Sequence, residues 1–295
     1  MKHERFLLRE DGSAYFDTYI QDFSWEMAAI APRPLVVVCP GGSYRMCSDR
    51  EAEPIALEFL TRGFHAIVVR YSVGENSSYP NSLVDVSKAI KIVREHAEEW
   101  RVNPDKIAVC GFSAGGHLAS TVANLWNDPE VQEKADCKNN ENKPNAAILI
   151  YPVITTGEYT HEDTKNQLLR DHPEEEHEAL KYKLSGENSV GPQTPPVFLA
   201  HTFMDDAVPV ENSLMYARAL ADNDIPFDLH VFRDGRHGLA MGNENTFSDP
   251  GSVSVDFAQW MPLCCNWLVN TFGLDGVPGK EIKYIDPKSR IKRDK

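Results

Sequence analysis

The chain has 295 residues, of which 42% are hydrophobic and 25% charged, and its formal net charge at pH 7 is −14. This composition is typical of a globular protein and excludes collagen-like, wholly disordered and disulfide-scaffold classes. No apolar run approaches the roughly 20 residues that cross a bilayer, and the acidic balance argues against nucleic acid as a partner. Since the N-terminus also lacks an apolar leader-like run, we expect a cytoplasmic protein whose six cysteines are reduced.

The charge is unevenly distributed along the chain. Residues 276–295 carry seven Lys or Arg and three Asp or Glu, a net charge of +4, so residues 1–275 carry −18. Residues 158–178 hold eight acids and three histidines, but these histidines lack the tight spacing of metal ligands, so no metal site is predicted. We predict one domain over 1–275, with an acidic insertion or small cap at 155–194, followed by a basic tail over 276–295.

Short apolar runs alternate with helical patterns. The predicted buried strands are 34–39, 64–70, 106–110, 146–151, 197–201 and 227–232, preceded by an antiparallel strand at 16–20. Apolar residues at three- and four-residue steps predict helices at 54–62, 82–100, 114–126, 211–223 and 255–271. Continuously apolar strands separated by helices are typical of a parallel sheet that is covered on both faces. The predicted fold class is therefore α/β, with a mostly parallel, doubly wound sheet and helices on both faces.

A glycine-rich turn directly follows the predicted strand 106–110. Residues 111–115 read Gly-Phe-Ser-Ala-Gly and lead into the predicted helix 114–126. A sharp turn from strand to helix presents a serine at its apex, and it needs glycines two positions away on each side because other side chains would clash there. Ser113 is the predicted nucleophile.

A serine nucleophile needs a base, and the base needs a carboxylate that orients it. His237 follows the predicted strand 227–232, whereas Asp205 and Asp206 follow the predicted strand 197–201. These positions reproduce the chain order serine, acid, histidine that is expected on a parallel sheet. We predict Asp205 as the orienting acid, with the adjacent Asp206 as the alternative.

The turn after the first buried strand also carries small residues, Gly-Gly-Ser at positions 41–43. Acyl transfer develops negative charge on a carbonyl oxygen, which backbone N–H groups stabilise. We predict that the amides of Gly42, Ser43 and Ala114 form this oxyanion hole. Side chains near the predicted loops are candidates for substrate contact, first Tyr44, Arg45 and Tyr151, then Met46, Phe203 and Met204.

Four motifs taken together resemble the esterases and lipases of the α/β-hydrolase superfamily. They are Pro-Gly-Gly-Ser-Tyr at 40–44, Gly-Phe-Ser-Ala-Gly-Gly-His at 111–117, Asp-Asp-Ala-Val-Pro at 205–209 and Gly-Arg-His-Gly at 235–238. More narrowly, the stretches 39–50, 109–120 and 201–214 resemble acetylxylan esterase-like bacterial carbohydrate esterases. The resemblance runs from about residue 35 to 272 and implies an α/β-hydrolase fold. Ser43 is a departure, because members often have glycine there.

The resemblance implies a serine carboxylester hydrolase that needs neither metal nor cofactor. We expect it to remove short acyl groups, acetyl above all, from sugar or xylooligosaccharide esters through an acyl-enzyme. The acidic segment 155–194 lacks the apolar surface of a lipase lid, and this favours small neutral substrates. An arylformamidase, a peptidase of the prolyl-oligopeptidase type and a non-catalytic binding protein of this fold are the alternatives. No nucleic-acid or membrane partner is expected, and a homo-oligomer is left open.

Overall fold

A computed structural model describes residues 1–26 and 31–274 of the chain. The segment 276–295, predicted to be a basic tail, lies outside these residues. The strands are β1 (Arg5–Leu7), β2 (Tyr15–Tyr19), β3 (Arg33–Cys39), β4 (His65–Arg70), β5 (Val102–Phe112), β6 (Ala146–Ile150), β7 (Val197–Thr202) and β8 (Phe227–Phe232). They form one sheet in the order β1-β2-β4-β3-β5-β6-β7-β8.

The sheet is mostly parallel. Strands β1 and β2 pair antiparallel with each other, and β2 pairs antiparallel with β4. Every other pairing is parallel. The helices are α1 (Glu53–Thr61), α2 (Asn81–Glu95), α3 (Ala97–Trp100), α4 (Ala114–Leu125), α5 (Pro129–Lys134), α6 (Glu162–Leu169), α7 (His177–Leu184), α8 (Gly186–Ser189), α9 (Glu211–Asp222) and α10 (Trp260–Phe272).

Both faces of the central strands β3, β6 and β7 are buried, as their continuous apolarity predicts. The prediction of a buried strand at 227–232 is wrong: β8 lies at the edge of the sheet, and each of its residues is partly or fully exposed. Along β5, Ile107 and Val109 belong to one apolar core, whereas Ala108 and Cys110 belong to the other. Apolar residues of α2, α4 and α9 pack in the first core, and those of α1 and α10 pack in the second. This alternation follows from the two-residue period of a strand. The predicted α/β class, with helices on both faces, is confirmed.

Some predicted elements change their bounds. The helix predicted over 82–100 divides into α2 and α3 at His96, whose ring Nδ1 lies 2.9 Å from the carbonyl oxygen of Ile92. The helix predicted from residue 255 begins at Trp260, after a turn of 3₁₀ helix. Val255 itself is 76% exposed, so its apolar character does not mark a buried helical face. The first strand, β1, was not predicted, because three residues are too short to show a period.

Residues 155–194, predicted as an acidic insertion or small cap, contain α6, α7 and α8. Their apolar residues Leu168 and Leu184 are buried in the core that also contains α4 residues. The carbonyl of Leu184 accepts a hydrogen bond from Nε2 of His117 on α4, at 2.8 Å. The segment therefore packs against the core on the α4 side of the sheet, while its acidic residues 174–176 are exposed. The assignment of 1–275 to a single domain stays a prediction.

None of the helices in 1–26 and 31–274 is both long and apolar enough to cross a membrane. All six cysteines are free thiols, and five of them are buried. In these positions a thiol acts as a small apolar side chain.

One buried carboxylate that is not among the predicted site residues ties together three segments of the chain. Asp85 on α2 is fully buried, and it accepts hydrogen bonds from Nε of Arg9 at 3.0 Å and from the backbone N–H of Ser72 at 2.9 Å. Burial raises the pKa of Asp85, since the charged form loses its hydration.

We expect Asp85→Ala to lower the free energy of unfolding by about 3–5 kcal/mol, because it leaves the Arg9 charge and the Ser72 N–H without their partner. Chemical denaturation measures this loss. Asp222→Ala is the control, because Asp222 pairs with Arg218 at the surface and its removal should change stability little. Equal losses in both variants would contradict the assignment.

Candidate active site

The serine turn joins β5 to α4 with a strained backbone. Ser113 has φ 54° and ψ −121°, a conformation that is unfavourable for residues other than glycine. Its N–H donates to the carbonyl of Ile150 at 3.1 Å, and its own carbonyl accepts from the N–H of Val153 at 3.1 Å. The end of β6 therefore holds the serine in place from both sides.

The glycines that flank Ser113 are required by close packing. A Cβ at Gly111 would lie 2.0 Å from the carbonyl oxygen of Gly115, and a Cβ at Gly115 would lie 2.2 Å from that of Cys39. Either contact is far inside van der Waals distance, so no larger residue fits without moving the backbone. Because glycine has no side chain, α4 can begin directly against the ends of β5 and β3.

The structure brings the predicted serine, histidine and acid together. Nε2 of His237 lies 2.7 Å from Oγ of Ser113, and Nδ1 of His237 lies 2.8 Å from Oδ2 of Asp205. These three residues come from the loops after β5, β8 and β7, whose carboxyl ends meet at one edge of the sheet. With Nδ1 protonated, Nε2 accepts the hydroxyl proton of Ser113, which is the arrangement of a Ser-His-Asp triad.

Asp205 is held as a carboxylate by several donors. Its Oδ1 accepts the backbone N–H groups of Ala207 at 3.0 Å and Val208 at 2.8 Å, and Nε2 of His201 lies 3.4 Å from its Oδ2. Burial acts to raise the pKa of Asp205, but the hydrogen bonds from His201 and His237 outweigh it and hold this pKa well below its usual range. Asp205 therefore stays ionised at neutral pH.

The neighbouring Asp206 has a different contact. Its Oδ1 accepts the backbone N–H of His237 at 3.0 Å, so it fixes the histidine loop instead of the imidazole ring. The contacts therefore distinguish the two predicted alternatives for the acid: Asp205 contacts the imidazole ring of His237, whereas Asp206 contacts only its backbone.

His201 supports Asp205 and was not among the predicted site residues. It is fully buried, and its Nδ1 lies 2.7 Å from Oγ of Ser213, while its Nε2 lies 3.0 Å from the carbonyl oxygen of Val208. A histidine at the end of an apolar strand, four residues before the acid, is the sequence signal that could have identified it.

The predicted oxyanion loop lies directly against the serine. A Cβ at Gly41 would be 2.9 Å from Cβ of Ser113. The N–H of Gly41 donates to Oε2 of Glu51 at 2.8 Å. Within residues 1–26 and 31–274, no hydrogen bond occupies the amides of Gly42 and Ser43. These amides therefore remain available to an oxyanion.

The turn has an unusual backbone that explains the second glycine. Gly42 has φ 130°, and a Cβ there would lie 2.2 Å from the carbonyl oxygen of Met46. Ser43 and Tyr44 follow with φ 58° and 57°. The third predicted donor, Ala114, is the first residue of α4, where backbone amides lack partners within the helix.

Two of the predicted substrate contacts are buried, and this corrects the prediction. Tyr44 is 1% exposed, and its hydroxyl lies 2.9 Å from Nδ1 of His117. Tyr151 is also 1% exposed and donates its hydroxyl proton to Oε1 of Glu51 at 2.7 Å. Since neither side chain reaches the surface of the site, both support its loops from within.

Arg45, the third predicted contact, is exposed at the rim of the site. Its Nη2 lies 2.8 Å from Oδ1 of Asp163 on α6, so an ion pair joins the oxyanion loop to the acidic insertion. His161, two residues before Asp163, was not predicted as a site residue. Burial, and then the charge of His237, lower the pKa of His161.

The remaining candidates form an exposed apolar rim. Phe203 is 63% exposed, Met204 58% and Met46 55%. Phe203 and Met204 directly precede Asp205 in the chain, so they lie beside the catalytic loop.

No group of three or more His, Cys, Asp or Glu in the described part of the chain could hold a metal ion.

Comparisons with known proteins identify the group to which this geometry belongs. The family described as BD-FAE matches residues 22–220. Endo-1,4-beta-xylanase B of Butyrivibrio fibrisolvens is 39% identical over 234 residues, covering 78% of this chain and 36% of that protein. An acetylxylan esterase of Xylanibacter ruminicola is 28% identical over 230 residues, covering 77% and 45% respectively. The chain thus spans less than half the length of these two curated relatives.

A solved structure matches nearly the whole chain. The acetyl ester-xyloside bifunctional hydrolase from Caldicellulosiruptor lactoaceticus shares 35% identity with a TM-score of 0.74, and the match covers 88% of both chains. The fold and these similarities identify the chain as an α/β hydrolase of the esterase type that resembles the acetylxylan esterases. The chain belongs to the BD-FAE family. The predicted superfamily is confirmed.

We expect Asp205→Asn to lower kcat for p-nitrophenyl acetate hydrolysis by about 10⁴, because the amide no longer selects the tautomer with protonated Nδ1. Asp206→Asn is the matched control, since its side-chain oxygen can still accept the N–H of His237 and most of kcat should remain. Steady-state kinetics of the two variants measure the difference. A larger loss of kcat for Asp206→Asn than for Asp205→Asn would show that Asp206, and not Asp205, is the orienting acid.

Proposed function

We propose that this protein is a serine carboxylester hydrolase that removes short acyl groups, acetyl above all, from esters of sugars or xylooligosaccharides. The observation that carries the proposal is the continuous series of contacts from Ser113 through His237 to Asp205, with links of 2.7 and 2.8 Å. Such a series makes a serine hydroxyl nucleophilic at neutral pH.

In the acylation step, Oγ of Ser113 attacks the ester carbonyl carbon while Nε2 of His237 takes its proton. Asp205 stabilises the imidazolium that forms. The tetrahedral intermediate collapses as His237 gives the proton to the oxygen of the leaving alcohol, and the acyl group remains on Ser113. Water then attacks the acyl-enzyme while His237 takes its proton, and His237 returns that proton to Oγ of Ser113 as the carboxylic acid leaves.

The intermediate carries its negative charge on the former carbonyl oxygen. The amides of Gly42, Ser43 and Ala114 are the proposed donors to this oxygen. Ala114 follows Ser113 in the chain, and Gly42 and Ser43 follow Gly41, which packs against Ser113. All three amides are without partners in the part of the chain described. Fixed donors of this kind are worth about 3–4 kcal/mol each in comparable enzymes.

The proposed substrate class is supported by two arguments. A curated relative is named an acetylxylan esterase, and a matched structure is an acetyl ester-xyloside bifunctional hydrolase. Residues 1–275 carry −18 by sequence, which suits neutral sugar esters and disfavours anionic ones. Arg45 and the apolar rim of Phe203 and Met204 are the exposed groups that a sugar could contact.

We expect Ser113→Ala to lower hydrolysis of p-nitrophenyl acetate by at least about 10³, because the variant lacks the nucleophile. A fluorophosphonate probe should label the wild-type protein at Ser113 and leave the variant unlabelled. Retention of more than about a hundredth of the rate would refute the assignment of the nucleophile. A wild-type protein that is neither active nor labelled would instead be a binding protein.

The acyl and alcohol preferences can be measured in one substrate panel. We expect acetate release from acetylated xylooligosaccharides and hydrolysis of p-nitrophenyl acetate to have high kcat/KM, and hydrolysis of p-nitrophenyl palmitate to be very slow. The physical reason is the absence of a continuous apolar surface on the acidic insertion. Ser113→Ala supplies the background rate for every substrate. Preference for palmitate or for N-formylkynurenine would overturn the proposed substrate class.

A further inference from the structure

Glu51 is a buried carboxylate that the proposed reaction does not use. It is 3% exposed, and no Lys, Arg or His nitrogen within residues 1–26 and 31–274 forms a salt bridge with it. Its neighbour Arg50 instead donates from Nη1 to the carbonyl of Gly238 at 2.9 Å. A carboxylate that is buried without a cation is costly, so the hydrogen bonds that it accepts must compensate.

Those hydrogen bonds connect two loops of the active site. Oε2 of Glu51 accepts the N–H of Gly41 at 2.8 Å, and Oε1 accepts the hydroxyl of Tyr151 at 2.7 Å. The hydroxyl oxygen of Tyr151 in turn accepts the N–H of Ala240 at 2.8 Å. Ala240 lies three residues after His237. The series Gly41–Glu51–Tyr151–Ala240 therefore links the oxyanion loop to the histidine loop through the end of β6.

The contact with Gly41 fixes the amides that follow it. A Cβ at Gly41 would lie 2.7 Å from Oε2 of Glu51 and 2.9 Å from Cβ of Ser113, so the loop is clamped between the carboxylate and the nucleophile. Because Glu51 takes the first N–H of the loop, the next two amides, of Gly42 and Ser43, remain for the oxyanion. The position of Gly41 sets where they lie.

The contact with Tyr151 acts on the general base. The ring of Tyr151 packs edge-on against the imidazole of His237, with centroids 5.1 Å apart and an interplanar angle of 69°. Tyr151 also has φ 36°, a backbone conformation that is strained for a residue other than glycine. Glu51 holds the hydroxyl of Tyr151 and so holds one side of the pocket of His237.

We infer that Glu51 is a positioning residue, which sets the oxyanion loop through Gly41 and the histidine loop through Tyr151. The inference rests on the proposed ester hydrolysis. A displacement of a reacting group by about 1 Å costs on the order of 10²-fold in rate. Loss of the buried carboxylate should therefore act on kcat, since it moves groups that stabilise the transition state and leaves the exposed rim unchanged.

The test is steady-state hydrolysis of p-nitrophenyl acetate by three variants of the full chain. Glu51→Gln replaces one acceptor oxygen by an NH₂ group, so either the N–H of Gly41 or the hydroxyl proton of Tyr151 loses its acceptor, and we expect kcat to fall about 10- to 100-fold with KM nearly unchanged. Tyr151→Phe should show a smaller fall. The double variant should be no slower than Glu51→Gln alone, because both changes break one linked series.

Asp85→Asn is the matched control, since it alters a buried carboxylate that contacts neither Gly41 nor Tyr151 and should keep the wild-type kcat. Thermal unfolding of each variant shows that assays are made on folded protein. Wild-type kcat in Glu51→Gln, or additive losses in the double variant, would overturn the inference. An inactive wild-type protein that a fluorophosphonate does not label would instead refute the proposed function on which the inference rests.

Discussion

Ser113 occupies a left-handed backbone conformation that an L-residue adopts only when its surroundings hold it there. Hydrogen bonds to Ile150 and Val153 provide this support, and the lack of side chains at Gly111 and Gly115 provides the room. The geometry of the whole site depends on this turn. A relaxed serine would move away from the end of β8, where the histidine loop begins, and away from the amides of residues 42–43.

The parallel sheet explains how residues far apart in the chain meet at that serine. Strands β3, β5, β6, β7 and β8 run in one direction, so the loops that follow them lie at a common edge. In the proposed reaction, the loop after β3 supplies the oxyanion amides, the loop after β5 the nucleophile, the loop after β7 the acid and the loop after β8 the base. Helix α4 begins at the same edge, and its unpaired N-terminal amides add a positive potential where the oxyanion would form.

The sequence was informative wherever a local pattern determines the outcome. The buried strands follow from continuous apolar runs, and the turn at Ser113 follows from its two glycines and its place between a strand and a helix. The roles of Tyr44 and Tyr151 could not be predicted, because their hydroxyl partners His117 and Glu51 are 73 and 100 residues away in the chain. An aromatic residue beside a catalytic motif suggests substrate contact, yet long-range hydrogen bonding decides whether the side chain faces the substrate or the protein interior.

Two buried carboxylates, Asp205 and Glu51, serve the site in physically different ways. Asp205 lies beside two histidine rings and two backbone amides, so its charge is compensated directly and can stabilise the imidazolium of His237. Glu51 accepts two hydrogen bonds, one from an amide of the oxyanion loop. A carboxylate close to a developing oxyanion would oppose catalysis if it faced that oxygen. The Gly41 N–H and the Tyr151 hydroxyl both donate hydrogen bonds to Glu51, so these groups compensate the charge of its carboxylate. The same two contacts hold the oxyanion loop in position.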